Sequence, residues 1–161
     1  MKLSHLLTAA TLVLLTAAPA FAQSTPAHLP DSIAARRAAG QAIVEKLRTP
    51  ENARESAKRS AETDTSKIIG NELSRMAVEN IFGGIWTRPG LSLRDRELVT
   101  LGLLIAQRAN SELVPHFEIA RNVGITREEL SEIIYQSAAY AGMPAAHNAR
   151  DIANKVLPPG K

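Results

Sequence analysis

The chain has 161 residues, a formal net charge of +3 and no cysteine. Without a thiol it can form no disulfide bond, bind no metal through a thiolate and carry out no thiol redox chemistry. Acidic and basic residues are interleaved in segments such as 51–67, so the small positive charge forms no stripe that could follow the phosphates of a nucleic acid. Nucleic acid is therefore not an expected partner.

The first 22 residues are typical of a secretory signal peptide. One basic residue precedes an apolar core from Leu6 to about Ala18, and small residues follow. The core is shorter than the about 20 apolar residues that a membrane-spanning helix needs. The alternative, an uncleaved anchor, lacks a stop-transfer flank. We expect cleavage after Ala22 and a periplasmic or secreted protein, with residues 23–161 forming one domain free of the membrane.

The remaining chain is predicted to be all-α, with about six helices. Runs of alternating β-branched residues are missing, and Ala, Leu, Glu, Arg and Lys dominate. Local signals mark several helix ends: Thr126 and Glu129 form a capping box, and Gly124 and Gly142 each end the preceding helix. The predicted helices are 32–47, 66–81, a central helix that begins after Ser92, and then 112–123, 127–141 and 145–156.

Two segments before the central helix have contrasting patterns. Residues 51–66 are polar and have only alanine as an apolar side chain, which favours a loosely packed segment over a solvated helix. The following helix is predicted to bury one face and to end at Gly83-Gly84. Its apolar face would consist of Ile68, Ile69, Leu73, Met76, Ala77 and Ile81.

The central helix is apolar around its whole circumference, so we expect other helices to enclose it. Ser92 is its predicted N-cap, and Asp95 supports the same start because acidic residues are favoured near a helix N-terminus. One carboxylate, Glu97, lies inside the apolar run. Charged groups are rarely buried unless they are paired or used in chemistry, which makes Glu97 a candidate functional residue.

Glu112 and His116 follow the central helix and lie four residues apart. This spacing places them on one helix face, where the carboxylate can orient the imidazole, although the same spacing is common on solvated helix surfaces. No HxxxH or HExxH motif is present, and no metal site is predicted. Packing explains other candidates: Trp86 as a plug between helices, Tyr140 as a core residue, and His147 as a solvated residue of the last helix.

Several segments, in order, resemble the carboxymuconolactone decarboxylase family. They are 84–100 (GIWTRPGLSLRDRELVT), 112–116 (ELVPH), 124–129 (GITREE) and 140–145 (YAGMPA), while 37–40 (RAAG) resembles the family's N-terminal helix. The resemblance extends over about residues 36–156. It implies the all-helical fold shared with alkylhydroperoxidase D and a homotrimer or homohexamer, in which contacts between subunits bury apolar surface that one chain leaves exposed.

The alkylhydroperoxidase branch of this fold uses a glutamate, a CxxC pair and a histidine as a proton relay to a reactive thiol. Alignment on His116 places the glutamate at Glu97 and the two cysteines at Ala109 and Glu112. The thiolate is the nucleophile in that chemistry, so the absent cysteines count against it. A peroxidase-like function stands only as an alternative.

The decarboxylase branch implies acid/base chemistry by Glu97, Glu112 and His116. His116 would donate the proton, and the two carboxylates would orient it. In a carboxymuconolactone, the electrons released with CO2 delocalise onto the lactone carbonyl, so no cofactor is needed as an electron sink. The expected function is that of a lyase acting on a small unsaturated lactone or carboxylic acid.

The same resemblance implies a substrate-binding set of Trp86, Arg88 and Arg96. One of the arginines would bind the substrate carboxylates, although either could instead form a surface ion pair. The expected export of the chain separates it from the family's cytoplasmic ring-cleavage substrate. The alternative is a non-catalytic, periplasmic and oligomeric binding module on the same fold, in which the polar residues only fill an internal site.

Overall fold

The computed structural model describes residues 30–158. Within this range there are helices and turns and no strand, which confirms the predicted all-α fold. Seven α-helices are present where about six were predicted: α1 (Ile33–Leu47), α2 (Pro50–Glu62), α3 (Leu73–Met76), α4 (Leu93–Gln107), α5 (Asn110–Asn122), α6 (Arg127–Ala141) and α7 (Met143–Val156).

Two further elements complete the described chain. A short 3₁₀ turn (Thr65–Lys67) precedes α3, and α3 continues directly into a π-helix (Ala77–Ile85). In the part of the chain that the structure covers, no helix combines the length and the apolar character needed to cross a membrane. The predicted signal peptide, residues 1–22, lies outside the described residues.

Three helix ends lie where local signals predicted them. The Ser92 hydroxyl accepts a hydrogen bond from the backbone N–H of Asp95 at 3.0 Å, so α4 begins as expected. Thr126 and Glu129 form the reciprocal capping box at the start of α6, with bonds of 2.9 and 3.2 Å. Gly124 has a φ of +85°, which suits a glycine after a helix end. The N-caps Ser92 and Thr126 each stabilise their helix by about 1 kcal/mol.

The larger hydrophobic core lies among α4, α5, α6 and α7. Leu101 of α4, Phe117 and Ala120 of α5 and Ala149 of α7 are all fully buried there. Dense packing of this kind leaves little freedom for one helix to slide past another. The core therefore fixes the register of α4 against α5, the two helices that carry Glu97 and His116.

A second group consists of α1 packed against the π-helix at very short backbone distance. An added Cβ at Gly40 would lie 2.0 Å from the carbonyl oxygen of Val78, and one at Gly83 would lie 2.0 Å from that of Arg36. Neither position has room for a side chain, so both require glycine. A smaller core cluster, with Trp86 at its centre, joins this group to α5.

The prediction for residues 51–66 was wrong, because most of this segment is helix α2. The Thr49 hydroxyl caps the helix by accepting a bond from the N–H of Asn52 at 3.2 Å, and Pro50 opens it. Glu55 and Arg59 form one of its i,i+4 ion pairs, at 3.6 Å. None of its residues is buried, so the polar pattern predicted exposure correctly and helix content incorrectly.

The predicted buried face of the next helix was also wrong. Ile69 is fully exposed and Leu73 is 67% exposed, and the α-helix begins at Leu73. The reason is that α1 packs on the opposite face, where Gly83 gives it room, so the apolar stripe points outward. Gly83 and Gly84 consequently lie inside the π-helix and do not end it.

Other apolar side chains expected inside are exposed in the single chain. Val99 and Leu103 of the central helix are 54% and 55% exposed, so α4 is enclosed on only part of its circumference. Tyr140, expected in the core, is 84% exposed. His147 is exposed, as predicted.

Between α1 and the π-helix lies a buried ionic cluster centred on Glu79. This carboxylate accepts hydrogen bonds from Arg37 at 2.8 and 2.6 Å and from Arg75 at 3.1 Å, and the residue is 5% exposed. The hydrogen bonds from Arg37 are the largest influence on the carboxyl group and lower the pKa of Glu79 below its usual value, against the opposing effect of burial.

We expect Glu79→Gln to lower stability near neutral pH and to matter less in acid. A carboxyl group whose pKa is lowered by folding stabilises the native state above its ordinary pKa of 4.5, and that stabilisation is lost as the pH falls through the lowered value. The midpoints of thermal unfolding of wild type and variant should therefore converge as the pH falls below 4.5. Parallel curves from pH 7 to pH 3 would contradict the predicted linkage.

Candidate active site

The site is built around a hydrogen bond between Glu97 of α4 and His116 of α5. The imidazole Nδ1 lies 2.9 Å from Oε1 and 3.2 Å from Oε2 of the carboxylate. The Glu97 side chain is completely buried, and 16% of the His116 side chain is exposed. A fully buried carboxylate next to a slightly accessible imidazole is an arrangement suited to proton transfer at the accessible ring.

Neighbouring core residues explain why the two side chains meet. Glu97 lies one turn before Leu101 on the face of α4 that packs into the core. His116 is flanked on α5 by Leu113 and Phe117, which pack into the same core. The burial of these apolar neighbours thus places the carboxylate and the ring together between two helices.

The two ring nitrogens of His116 have different surroundings. Nδ1 is held by the carboxylate, whereas Nε2 makes no hydrogen bond to any described residue. With Glu97 ionised, Nδ1 is the donor, so the carboxylate fixes both the tautomer and the ring orientation. It also offsets the positive charge that the ring carries when both nitrogens are protonated. Nε2 is then the atom available to exchange a proton with a ligand.

Glu112, the second predicted carboxylate, is not part of this hydrogen bond. Its side chain is exposed, and among the described residues no hydrogen bond joins it to His116. The orienting contact comes from Glu97 on the neighbouring helix and not from the residue one turn earlier on α5. A catalytic role for Glu112 stays a prediction.

The predicted arginines lie at the start of α4 and in the loop before it. Arg96 is half-buried and donates from Nη2 to the carbonyl oxygen of Arg88 at 2.6 Å. Its Nε is buried and has no hydrogen-bond partner among residues 30–158. The side chain of Arg88 is exposed, and neither arginine forms an ion pair with an acidic residue of the described chain. The guanidinium of Arg96, the residue before Glu97, therefore retains hydrogen-bond donors that no described residue uses.

Trp86 occupies the smaller core cluster, as the packing interpretation predicted. It is 7% exposed, packs with Ile43 and Leu47, and lies 5.7 Å from the ring of Phe82 between centroids. The buried position of Trp86 therefore does not support its predicted role in direct substrate binding.

A groove that the sequence analysis missed lies between α2 and α5. It has a volume of about 460 Å³, and its floor includes Leu47, Val114, Pro115 and Ile119. Neither Glu97 nor His116 lines it. The groove was missed because its second wall is α2, which was predicted to be loosely packed; the Thr49-Pro50 start signal was the available indication of a helix there.

Comparison with known proteins finds a family match and three similar relatives. Residues 71–155 match the carboxymuconolactone decarboxylase family. This region contains α3 to α6 and most of α7, with both Glu97 and His116, whereas α1 and α2 precede it.

Two relatives are named decarboxylases. The chain is 37% identical over 94 residues to the 4-carboxymuconolactone decarboxylase of Acinetobacter baylyi, covering 58% of this chain and 67% of that protein. It is 38% identical over 82 residues to nitrosuccinic acid decarboxylase npaB of Metarhizium robertsii, covering 51% and 57%. A third relative, an uncharacterized 15.0 kDa protein of Paracoccus denitrificans, is 33% identical over 81 residues, 49% of this chain and 60% of its own length. The matches thus span only part of each relative, from 57% to 67%.

Proposed function

Because this chain belongs to the carboxymuconolactone decarboxylase family, we propose that it is a cofactor-free lyase that decarboxylates a small unsaturated lactone or carboxylic acid. The two relatives named as decarboxylases support a decarboxylase-like activity. The observation that carries the proposed mechanism is the 2.9 Å contact between His116 and the fully buried Glu97. Location in the periplasm or outside the cell is a further proposal, which rests on the predicted signal peptide.

The proposed reaction has a simple balance of bonds. The C–C bond to the departing carboxylate breaks, CO2 leaves, and the electron pair delocalises onto a conjugated carbonyl oxygen. A proton delivered to the carbon that lost the carboxylate, or to its conjugated position, then restores a neutral product. The protein has to bind the anionic substrate, stabilise the developing oxyanion and supply the proton.

In this mechanism His116 supplies the proton from Nε2, and Glu97 is a positioning residue. The buried carboxylate holds Nδ1 and so directs Nε2 toward the accessible side of the ring. The ring is thus held in one orientation before the reaction, and such positioning of a catalytic group lowers the entropic cost of reaching the transition state.

Of the two arginines, Arg96 is the better proposed anchor for the substrate carboxylate. It is half-buried, has an unpartnered Nε, and forms no ion pair with an acidic residue of the described chain. A guanidinium in partly buried surroundings binds a carboxylate more strongly than one in open water. Arg88 contributes its backbone carbonyl, which holds Arg96 in place.

The proposed role of Glu112 is to act on substrate at the accessible side of His116. Glu112→Gln decides this point, because the substitution keeps the size of the side chain and removes its charge. A fall in kcat comparable to that of Glu97→Gln retains Glu112 in the mechanism, and an unchanged kcat removes it.

We further propose that the protein is a homotrimer or homohexamer. The support is a set of large apolar side chains, each at least 45% exposed, on several helices of the single chain. Exposed apolar area of this extent is characteristic of protein contact sites. The set includes Ile69, Leu73, Met76, Ile81, Ile85, Val99, Leu103, Tyr140 and Met143.

Leu103→Glu is expected to shift the protein to smaller assemblies. A charge on the exposed stripe of α4 would have to be desolvated in a subunit contact, whereas in a single chain it stays in water. The measurement is light scattering after size-exclusion chromatography, with Gln107→Glu, an exposed position one turn further along α4, as control. Equal masses for wild type and Leu103→Glu would contradict the involvement of this stripe.

A non-catalytic binding module is the second candidate. The observation in its favour is that the 460 Å³ groove is separate from the acid/base pair. The test is an assay of the purified protein against unsaturated lactones and small unsaturated or β-activated carboxylic acids, with CO2 release as readout and a hydroperoxide as control. Decarboxylation of one class supports the lyase; binding without turnover across the panel favours the module. Reduction of the hydroperoxide would support the alternative that the protein is peroxidase-like.

A further inference from the structure

We propose that the groove between α2 and α5 is a binding site for a small carboxylic acid with an apolar body. The site is distinct from the proposed reaction at His116 and does not depend on it. With about 460 Å³, the groove falls within the range of small-molecule pockets.

The floor of the groove is apolar and held firmly. Leu47 is 2% exposed and packs in the smaller core cluster, and Ile119 packs against the same cluster from α5. Val114 and Pro115 extend this floor along α5. Val114 is 43% exposed, so part of the floor is open to solvent and gains from being covered by an apolar ligand.

One face of α2 forms the polar wall. Asn52, Glu55, Ser56 and Arg59 all line the groove, and their spacing of three and four residues places them on the same side of the helix. The face therefore points toward α5 along the whole groove. The hydroxyl of Ser56 makes no hydrogen bond to the described residues, so it can bind a ligand.

One cation at the rim is free to bind an anion. Of the two lining carboxylates, Glu55 forms an ion pair with Arg59 at 3.6 Å, whereas Glu118 accepts a hydrogen bond from the neutral amide of Asn52 at 2.6 Å. Arg48, at the end of α1, also lines the groove but has no acidic partner in the described chain. Arg48 is thus the lining cation that has no acidic partner among the described residues, and a carboxylate is the group that its guanidinium binds best, through two parallel hydrogen bonds.

The groove lies across the boundary of the family match. Its α5 wall belongs to the matched region, whereas Arg48 and all of α2 precede residue 71. The free cation of the groove, Arg48, therefore belongs to a part of the chain outside that match. A ligand here is selected separately from any substrate at the acid/base pair.

Trp86 provides an internal reporter for this site. It is the only tryptophan and packs in the same cluster as Leu47 and Ile119, two of the four floor residues. A ligand that contacts Leu47 and Ile119 alters the packing of the cluster and so the surroundings of the indole, without direct contact with it. Its fluorescence should therefore respond to occupation of the groove.

The test uses the full protein and cyclohexanecarboxylate as the ligand. This aliphatic acid does not absorb light at the wavelengths that excite tryptophan, so it does not interfere with the fluorescence of Trp86. We expect saturable binding by calorimetry together with a change in Trp86 emission that follows the same curve. Arg48→Ala should weaken binding about tenfold, the loss that a charge-assisted hydrogen bond carries. Val114→Phe, which fills the floor, should abolish it by a route independent of charge.

Matched controls make the result decisive. Arg54→Ala removes a cation from α2 that does not line the groove, and it should leave the affinity unchanged. The methyl ester of the probe keeps the apolar body and should bind at least tenfold more weakly. His116→Asn should bind like wild type. The proposal is overturned by the absence of saturable binding, by equal losses in Arg48→Ala and Arg54→Ala, by equal binding of acid and ester, or by loss of binding in His116→Asn.

Discussion

His116→Asn is expected to lower kcat by about 10²- to 10⁴-fold, the contribution of a positioned general acid or base. The asparagine amide can still donate a hydrogen bond to Glu97, so the buried carboxylate keeps a partner. It cannot deliver a proton. His116→Ala is less informative, because an unpartnered buried charge destabilises a protein by roughly 3 kcal/mol or more and would confuse loss of activity with loss of fold.

The matched control for this substitution is His147→Asn. His147 lies exposed on α7, so the same change of side chain there should leave kcat and the unfolding midpoint unaltered. A wild-type kcat in His116→Asn removes this residue from the mechanism. Equal losses in the two variants would point to a general effect of the substitution.

Gly83→Ala and Gly40→Ala are each expected to destabilise the protein by roughly 3 kcal/mol or more, above the usual range for overpacking. The added Cβ would lie 2.0 Å from a backbone carbonyl oxygen in either case, and backbone cannot rotate away as a side chain can. The helix α1 would have to separate from the π-helix. Unfolding in urea, followed by circular dichroism, measures the change.

Gly102→Ala is the matched control for the glycines. It lies within α4, and a Cβ there would meet no atom of the described chain within 4 Å. Replacing a helical glycine with alanine in open space should stabilise the protein by about 0.5–1 kcal/mol. If Gly83→Ala and Gly102→Ala had equal stability, the close packing of α1 on the π-helix would be disproved.

Local sequence patterns predicted the local features of this fold. The start of α4 at Ser92 and the capping box of Thr126 and Glu129 depend on side chains bonding to backbone within three residues, so sequence alone contains the necessary information. The polar composition of α2 predicted its exposure. It did not predict its helix content, because helix-forming side chains and ion pairs sustain a helix without any buried face.

The outward face of α3 and the π-helix is a feature that local sequence patterns did not predict. Periodicity identified an apolar stripe that includes Ile69 and Leu73, but a stripe does not specify whether it contacts its own chain or another. Here α1 contacts the opposite face, which contains Gly83 and Glu79. Nothing in the spacing of the apolar residues indicates that choice.

The sequence identified Glu97 and His116 as site residues but did not predict that they form a hydrogen bond with each other. Spacing within α5 suggested that Glu112 orients His116, whereas the structure gives that hydrogen bond to Glu97, nineteen residues away. The decisive clue for Glu97 was a lone carboxylate in an apolar run, which signals a buried partner without identifying it. Only the packing of α4 on α5 supplies that identity.

Decarboxylation in D2O by wild type, Glu97→Gln and His116→Asn tests the central claim most directly. With the substrate class that supports turnover, wild type should release CO2 and place one deuterium on the product carbon skeleton. Both variants should fall to a small fraction of that rate while remaining folded. Equal rates of CO2 release and equal deuterium incorporation in wild type and His116→Asn would contradict proton delivery by the imidazole that Glu97 holds.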